Sequence, residues 1–176
     1  MVDVPVLETR RLSLRGLSSD DFERYAAMWA EPDVVRFVTG SVLSREAAWS
    51  RFLRQVGHWD RLGFGYFAIE DRATGALIGE AGFQDLRRTL SPSIEGTMEA
   101  GWVLATEAHG KGFAEEAMRA CLDWADRTLP DKRVTCIMRP DHTASFHIAE
   151  KLGFRTFSTS DYNGKPTILL ERLRSS

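Results

Sequence analysis

The most informative stretch of the chain is Glu107, Ala108, His109, Gly110, Lys111, Gly112, Phe113 and Ala114. It follows the strand-like segment 98–104 and opens an amphipathic helical pattern. Two closely spaced glycines let backbone N–H groups converge, and a helix that begins there adds the positive end of its dipole. The stretch therefore predicts a loop that binds the phosphates of a ligand through backbone N–H groups.

Two common phosphate-binding motifs do not fit this stretch. A P-loop needs Lys and then Ser or Thr after its last glycine, whereas Gly112 is followed by Phe113 and Ala114. The dinucleotide fingerprint needs a third glycine where the chain has Glu115. Glycines before a helix can also serve only to turn the chain, so this alternative stays open on the loop alone.

A second run, residues 139–154, contains Arg139, Pro140, Asp141, His142, Thr143, Ala144, Ser145, Phe146 and, at its end, Lys151, Leu152, Gly153 and Phe154. Together the two runs resemble the GNAT superfamily of acyl-CoA-dependent N-acyltransferases. Residues 7–15 resemble the opening strand of the branch that contains the ribosomal-protein N-terminal acetyltransferases. The resemblance covers nearly the whole chain. It implies transfer of an acetyl group from acetyl-CoA, as cosubstrate, to a primary amine of a protein N-terminus or a small molecule.

Composition is that of an ordinary globular protein. The 176 residues are 43% hydrophobic and 27% charged, which predicts a single domain over residues 1–176. The net charge of −2 gives no reason to expect a nucleic-acid partner. No apolar stretch has the length of a signal peptide or a membrane span, which predicts a cytoplasmic protein without a membrane partner. Cys121 and Cys136 lack metal-ligand spacing, so we expect them to be small buried side chains and expect no metal.

The apolar pattern predicts seven strands and four helices. The strands are placed around Leu12 and Leu14, at 65–70, 77–84, 98–104 and 134–138, and in two segments that turn at Asn163 and Gly164. The predicted class is α/β (mixed α+β), with helices on the faces of a mostly antiparallel sheet. A helix between segments 98–104 and 134–138 implies that these two strands are parallel. The resemblance implies that they also splay apart.

Capping residues set the predicted helix ends. Ser18 with Asp21 forms a capping box, Ser44 caps the second helix, Gly63 ends it, and Pro32 stops the first. Two buried helix faces are predicted: Ala48, Phe52, Val56 and Trp59 on the second helix, and Ala114, Ala117, Met118, Cys121 and Ala125 on the third.

The resemblance assigns the cofactor contacts. It implies that the pantetheine arm enters the gap between the splayed strands and pairs with the backbone of Trp102, Val103 and Leu104. It implies pyrophosphate contacts from the N–H groups of residues 107–112, although Glu107 stands where the family usually has Gln or Arg. His142 replaces a common Asn, and Ala149 replaces a Tyr that often protonates the leaving thiolate. Ser145 is the substitute acid that the resembling branch suggests.

Attack on a thioester requires a neutral amine, and lysine and α-amino groups titrate near about 10.4 and about 8. A base or a path to water must therefore accept a proton, and Glu99 and Glu80 are the candidates. Strand alternation puts Glu99, Gly101 and Val103 on one face. Glu80 lies in an apolar run, where a carboxylate without a function is not expected. Each could instead be a satisfied structural carboxylate.

Several questions stay open at this level. The departures at Glu107, His142 and Ala149 favour, as an alternative, a CoA-binding regulatory or sensing module without turnover. An acceptor site framed by the helices near Trp29, Phe37 and Trp59 and by the loop 86–96 is expected, with those aromatics more typical of core. The chain could be a monomer or a homodimer.

Overall fold

A computed structural model describes residues 3–173. The helices and strands are β1 (Leu7–Glu8), β2 (Leu12–Arg15), α1 (Phe22–Trp29), α2 (Pro32–Val35), α3 (Arg45–Leu62), β3 (Tyr66–Asp71), β4 (Ala76–Gln84), β5 (Met98–Leu104), α4 (Phe113–Thr128), β6 (Val134–Met138), α5 (Thr143–Lys151), β7 (Phe154–Tyr162) and β8 (Lys165–Arg172). Short 3₁₀ helices span Ser19–Asp21 and Thr106–Ala108.

The strands form one sheet in the order β1-β2-β3-β4-β5-β6-β8-β7. All neighbours are antiparallel except β5 and β6, which are parallel as predicted. The predicted class is confirmed, with two differences among the described residues. The two-residue strand β1 makes the sheet eight-stranded instead of seven-stranded, and the four-residue helix α2 raises the number of α-helices from four to five. Both elements are too short for periodicity to reveal.

Two hydrophobic clusters cover the two faces of the sheet. On one face, α4 buries Ala114, Ala117, Met118, Cys121 and Ala125 against β2–β6, as its pattern predicts. On the other face, α1 and α3 pack Phe22, Tyr25, Trp29 and Phe52 against Ala68 and Leu77. Alternation along β5 sends Met98 and Ala100 into the first cluster and Val103 into the second. Residue 99 therefore shares the face of Val103, as predicted, and the structure shows that this is the α1–α3 side of the sheet.

The predicted caps are present, but one buried face was wrong in part. Ser18 and Asp21 form the capping box, the Ser44 hydroxyl accepts from Ala47 N–H, and Gly63 ends α3 with φ 72°. Val56 is 48% exposed, because α3 turns the face containing Gln55 and His58 inward together with Ala48, Phe52 and Trp59. Pro32 does follow the end of α1, but it also occupies the first turn of α2, where a missing N–H costs nothing.

Candidate active site

The parallel strands β5 and β6 separate soon after they meet. Only Met98 with Val134 and Glu99 with Thr135 are in register, although β5 continues to Leu104 and β6 to Met138. A cavity of about 370 Å³ opens where the pairing stops. Its walls include Trp102 and Val103 on one side of the gap and Cys136 and Met138 on the other. The splay that the family resemblance implies is therefore present.

Beyond the Glu99–Thr135 pair, no strand within residues 3–173 pairs with the edge of β5 that faces this gap. Met98 N–H donates to Arg133 O on the β6 side, while Ala105 N–H donates to Ile78 O on the β4 side. Because backbone groups alternate along a strand, those of Ala100, Trp102 and Leu104 point toward β6 and those of Val103 point toward β4. Trp102 and Leu104 can therefore offer backbone hydrogen bonds to a chain lying in the gap, whereas Val103 contributes its side chain to the cavity wall.

The imidazole of His109 closes the loop that follows β5. Its Nε2 lies 2.9 Å from the carbonyl oxygen of Leu104, and since a carbonyl only accepts, Nε2 is the donor. This bond occupies the Leu104 carbonyl and leaves the Leu104 N–H available at the gap. His109 thus shapes the loop through a specific hydrogen bond.

The glycine loop has the geometry of an anion site. Gly110 and Gly112 adopt φ 73° and 77°, in the left-handed region that glycine tolerates best. Gly112 is the N-cap of α4 and has no side chain to cap the first turn. Within residues 3–173, no hydrogen bond is made by the N–H groups of residues 110–115. Convergent free N–H groups at the start of a 16-residue helix suit a phosphate.

Every acidic side chain next to this loop has a cationic partner. Glu107, which is 60% exposed, pairs with Arg24 of α1. Glu116 pairs with Arg11 at 2.6 Å, and Glu115 pairs with Arg119 at 2.8 Å and with Lys151 at 3.4 Å. The charge of Glu107, which stands where the family usually has Gln or Arg, is thus neutralised by Arg24, about 80 positions earlier in the chain. No local sequence motif predicts a pair at that separation.

Arg11 ties the start of the chain to the glycine loop. Its Nη1 donates to the Lys111 carbonyl at 2.9 Å, and its guanidinium lies 4.5 Å from the centre of the Phe113 ring. Ala108 and Ala114 are buried beneath the loop. The loop is therefore held by packing and by the side chain of Arg11, which immediately precedes β2. This support keeps the N–H groups of the loop oriented before a ligand binds.

Glu99 lies in the cavity wall at the base of the gap. It is 5% exposed and forms a two-bond pair with Arg88, at 2.7 Å to Oε2 and 2.9 Å to Oε1. Gln84 Nε2 donates to Glu99 Oε1 at 3.1 Å. Burial lowers the pKa of Arg88, but the hydrogen bonds and charge of Glu99 outweigh burial and hold it above its ordinary value. Oε2 accepts one bond and keeps one lone-pair direction for a ligand.

Glu80 lies on the neighbouring strand but is not part of the cavity wall. It is fully buried, and its Oε1 accepts two bonds from Arg51, at 2.9 and 3.2 Å. Arg51 in turn lies 3.9 Å from the centre of the Trp29 ring, and its pKa is raised against the opposing effect of burial by the Glu80 charge. This arrangement favours a structural role for Glu80, and its role as a base stays a prediction.

Ser145 and His142 meet at the other wall of the gap. Ser145 Oγ lies 3.0 Å from His142 Nε2, and both residues line the cavity. The His142 ring stacks on Phe37 with centroids 4.3 Å apart. Burial lowers the pKa of His142, with a smaller contribution from the Arg139 charge, so the imidazole is neutral at pH 7. A neutral imidazole can donate to Ser145 and leave the hydroxyl proton free.

Sequence patterns missed the arginines and amides that complete the site. Arg24, Arg51, Arg88 and Gln84 come from α1, α3, the loop after β4 and β4 itself. Of the aromatic residues expected near the acceptor, Phe37 lines the cavity, whereas Trp29 and Trp59 are core residues. Arginines are common on the polar faces of helices, so their spacing does not distinguish a site residue from a solvated one. No sequence signal therefore identifies these positions.

Residues 3–173 also bear on metal binding and on membrane insertion. No group of three or more His, Cys, Asp or Glu side chains there is arranged to hold a metal ion. Cys121 and Cys136 are free and buried, as expected. None of the helices in that range combines the length and the hydropathy needed to cross a bilayer.

Comparisons with known proteins agree with this geometry. Residues 11–155 match the model of the acetyltransferase (GNAT) domain. An uncharacterised protein of Bacillus subtilis, YkkB, is 28% identical over 94% of each chain. A structure from Bordetella pertussis assigned to the GnaT family of acetyltransferases is 35% identical, with a TM-score of 0.87 over 96% of this chain and 99% of that one. At 15% identity, RimL, a ribosomal L7/L12 α-N-protein acetyltransferase solved with coenzyme A, shares the fold with a TM-score of 0.76 over 95% and 96% of the chains.

Proposed function

This chain is an acetyltransferase of the GNAT family, and from that premise we propose that it moves the acetyl group of acetyl-CoA directly to a primary amine within a ternary complex. The nitrogen of the neutral amine attacks the thioester carbonyl, the new C–N bond forms, and the C–S bond breaks. The amine loses a proton and the departing thiolate gains one. The chain's own residues must therefore bind two substrates side by side and handle two protons.

The observation that carries the proposal is the gap between β5 and β6. The β5 edge at this gap runs from the buried carboxylate of Glu99 to Leu104, and the chain continues from Leu104 into the glycine loop. A CoA molecule has a pyrophosphate, an amide-containing arm and a reactive thioester in that order. The N–H groups at 110–115, the backbone groups of Trp102 with the Leu104 N–H, and Glu99 suit these three parts in turn.

Glu99 is the proton acceptor in this proposal. It lies in the cavity wall, keeps a free lone-pair direction on Oε2, and is oriented by Arg88 and Gln84. An amine that enters the cavity can donate to Oε2 and pass its proton there or on to water. Help of this kind is typically worth about 10²- to 10⁴-fold in rate.

Ser145 is the proton donor to the thiolate. Its hydroxyl lies on the β6 side of the gap, where we expect the leaving sulfur. The neutral His142 imidazole can donate a hydrogen bond to Ser145 Oγ. His142 therefore takes over the positioning function of the more common Asn by a different bond. Stacking on Phe37 holds its ring in place.

Acetyl-CoA titration by calorimetry tests the cofactor half of the proposal. Wild type is compared with the double variant Gly110→Pro and Gly112→Pro, which removes two N–H donors and is incompatible with positive φ. Gly75→Pro is the matched control, because Gly75 has φ 72° in the β3–β4 turn, away from the cavity. Circular dichroism verifies that all three proteins are folded.

Binding by wild type and the control, and not by the double variant, is the expected result. Release of CoA thiol with a panel of amines and peptides then tests turnover. A folded wild type that does not bind acetyl-CoA would overturn the proposal. Binding without thiol release from any amine would favour the regulatory module instead.

A further inference from the structure

Five cationic side chains and one carboxylate line the cavity: Arg51, Arg54, Arg88, Arg139, Lys165 and Glu99. Three of the cations have partners, since Arg51 pairs with Glu80, Arg88 with Glu99, and Arg139 with Asp141. Arg54 and Lys165 form no ion pair within residues 3–173. The chain as a whole carries a net charge of −2, so this excess of positive charge is local to the cavity.

Arg54 stands one helical turn after Arg51 on α3, and both face the cavity. Like charges at this spacing repel each other. Burial lowers the pKa of Arg54, and the Arg51 charge lowers it further, while the charges of Tyr25 and Glu80 oppose this only in part. An anionic group held here would relieve the repulsion. The buried Glu80 carboxylate relieves it only in part, because its hydrogen bonds go to Arg51 and it forms no ion pair with Arg54 within residues 3–173.

Lys165 approaches the same cavity from the opposite wall. It is the first residue of β8, and its Nζ lies 3.3 Å from the position that a Cβ on Gly40 would occupy. Gly40 belongs to the segment 37–40 that lines the cavity mouth. The two unpaired cations thus come from α3 and β8. Both are more exposed than Glu99 and Gln84, which lie deeper.

The deep end of the cavity has the opposite character. Gln84 is 5% exposed and donates through Nε2 to Glu99, while its Oε1 has no hydrogen-bond partner in residues 3–173. A buried amide oxygen without a partner is costly, and it accepts only from a donor such as an amine N–H. Gln84 Oε1 and Glu99 Oε2 together therefore suit a primary amine.

We infer that the acceptor is an amine that also carries a carboxylate, with the amine deep in the cavity against Gln84 and Glu99 and the carboxylate at the mouth between Arg54 and Lys165. The inference rests on the proposed function, since it concerns the second substrate of the same site. Two sources share this chemistry: a free amino acid, and a peptide N-terminus with an acidic side chain nearby. In both, a carboxylate accompanies the amine that is acetylated.

Matched acceptor pairs test the inference. Glycine, β-alanine and 4-aminobutyrate are each compared with the corresponding amide, and a Ser-Glu-Ala amide is compared with a Ser-Gln-Ala amide. The value kcat/KM is measured from thiol release at saturating acetyl-CoA. The enzymes are wild type, Arg54→Gln, Lys165→Gln, the charge-conserving Arg54→Lys, and the control Arg61→Gln. Arg61 lies on the same helix, outside the cavity, with its side chain 85% exposed.

Wild type and Arg61→Gln should favour the carboxylated member of at least one pair by about 10- to 100-fold, the usual effect of a hydrogen bond to a charged group. In Arg54→Gln and Lys165→Gln this ratio should fall toward one through a higher KM, and Arg54→Lys should restore part of it. The amino-acid series and the peptide pair separate the two sources. Equal kcat/KM within every pair, or a preference that survives both substitutions, would overturn the inference.

A binding measurement with the same acceptors tests the inference even if none of them is acetylated. Calorimetric titration of the same pairs into enzyme saturated with CoA should show tighter binding of a carboxylated member, lost in Arg54→Gln and kept in Arg61→Gln. Absence of turnover with this binding pattern would count against the proposed function alone. Turnover without a carboxylate preference would count against this inference alone, and identical binding within every pair would overturn it as well.

Discussion

Arg24 of α1 forms an ion pair with Glu107 at the start of the glycine loop, and it lies within 3.7 Å of Glu31. Glu31 Oε2 also accepts the Thr106 N–H at 2.8 Å. Helix α1 is thereby connected to the loop that we propose binds pyrophosphate. Glu107 alone would repel the phosphates of the ligand, and the ion pair with Arg24 compensates its charge.

This pair predicts how cofactor affinity depends on charge. Arg24→Gln leaves Glu107 uncompensated near the loop, so acetyl-CoA affinity should fall by about 3- to 10-fold, since partly exposed pairs contribute modestly. The loss should shrink at high salt because exposed charges are screened. Adding Glu107→Gln to Arg24→Gln should recover most of the affinity. The measurement is calorimetry.

Arg45→Gln is the matched control for this prediction, because it breaks the exposed Arg45–Glu23 pair between α1 and α3. It should leave acetyl-CoA affinity unchanged. If the Arg24→Gln, Glu107→Gln double variant binds as weakly as Arg24→Gln alone, the charge explanation is wrong.

Glu99→Gln should lower kcat by about 10²- to 10⁴-fold with little change in the KM of acetyl-CoA. The variant keeps a side chain of nearly the same size between Gln84 and Arg88 but removes the proton acceptor. Steady-state kinetics at saturating acetyl-CoA provide the measurement. Unchanged kcat in the folded variant would exclude Glu99 as the base.

Glu80→Gln should act on stability instead. Its loss leaves the Arg51 guanidinium without its partner in a buried setting, and breaking a buried pair from one side typically costs about 3 to 5 kcal/mol. We therefore expect a clear decrease in the free energy of unfolding, measured by denaturant titration. Glu95→Gln, which breaks the exposed Arg87–Glu95 pair, should be close to neutral. If Glu80→Gln instead lowered kcat as far as Glu99→Gln without destabilising the protein, Glu80 would be the better base.

The stability of the protein should depend on the protonation of His142. Its pKa is lower in the folded than in the unfolded state, so the unfolded chain binds more protons as the pH falls. The free energy of unfolding should be at its full value above about pH 6.5 and should decrease as the pH drops from there through the folded-state pKa. Arg139 and His109 oppose the charged form, and Asp141 favours it.

His142→Asn should flatten this part of the stability profile. His147→Asn, at an exposed position five residues further along the chain in α5, should not. Denaturant titrations between pH 5 and pH 8 provide the comparison, using wild type as the reference. A slope that is the same in wild type and His142→Asn would show that another group is responsible.

Gly101 and Gly57 should respond in opposite directions to alanine. A Cβ on Gly101 would overlap the Tyr66 hydroxyl and lie 2.9 Å from its Cζ, and Tyr66 is buried. Gly101→Ala should therefore lower the melting temperature and activity. Nothing lies within 4 Å of a Cβ on Gly57 in α3, so Gly57→Ala should raise stability by about 0.5 to 1 kcal/mol. Thermal unfolding by calorimetry measures both, and a stabilising Gly101→Ala would contradict the packing argument.

Local patterns predicted those parts of the fold that depend on nearby residues. The capping box at Ser18, the α3 cap at Ser44 and the turn at Asn163–Gly164 all follow from side chains and glycines a few positions apart. The buried face of α4 follows from a regular 3.6-residue repeat. Where the repeat was ambiguous, as at Val56, the inward face of α3 was determined by packing against α1 and the sheet.

The amino-acid sequence alone predicted the glycine loop, the parallel β5–β6 crossover and the face of β5 on which Glu99 lies, because each depends on spacing along the chain. The choice of Ser145 came from the family resemblance. Tertiary structure decided which charges meet: Arg24 with Glu107, Arg88 with Glu99, and Arg51 with Glu80. It also decided that Arg54 and Lys165 face one cavity, where neither forms an ion pair with another residue of the described range 3–173. These relations join residues far apart in sequence through the twist and packing of the sheet, and ionic attraction acts over distance in space, independent of separation along the chain.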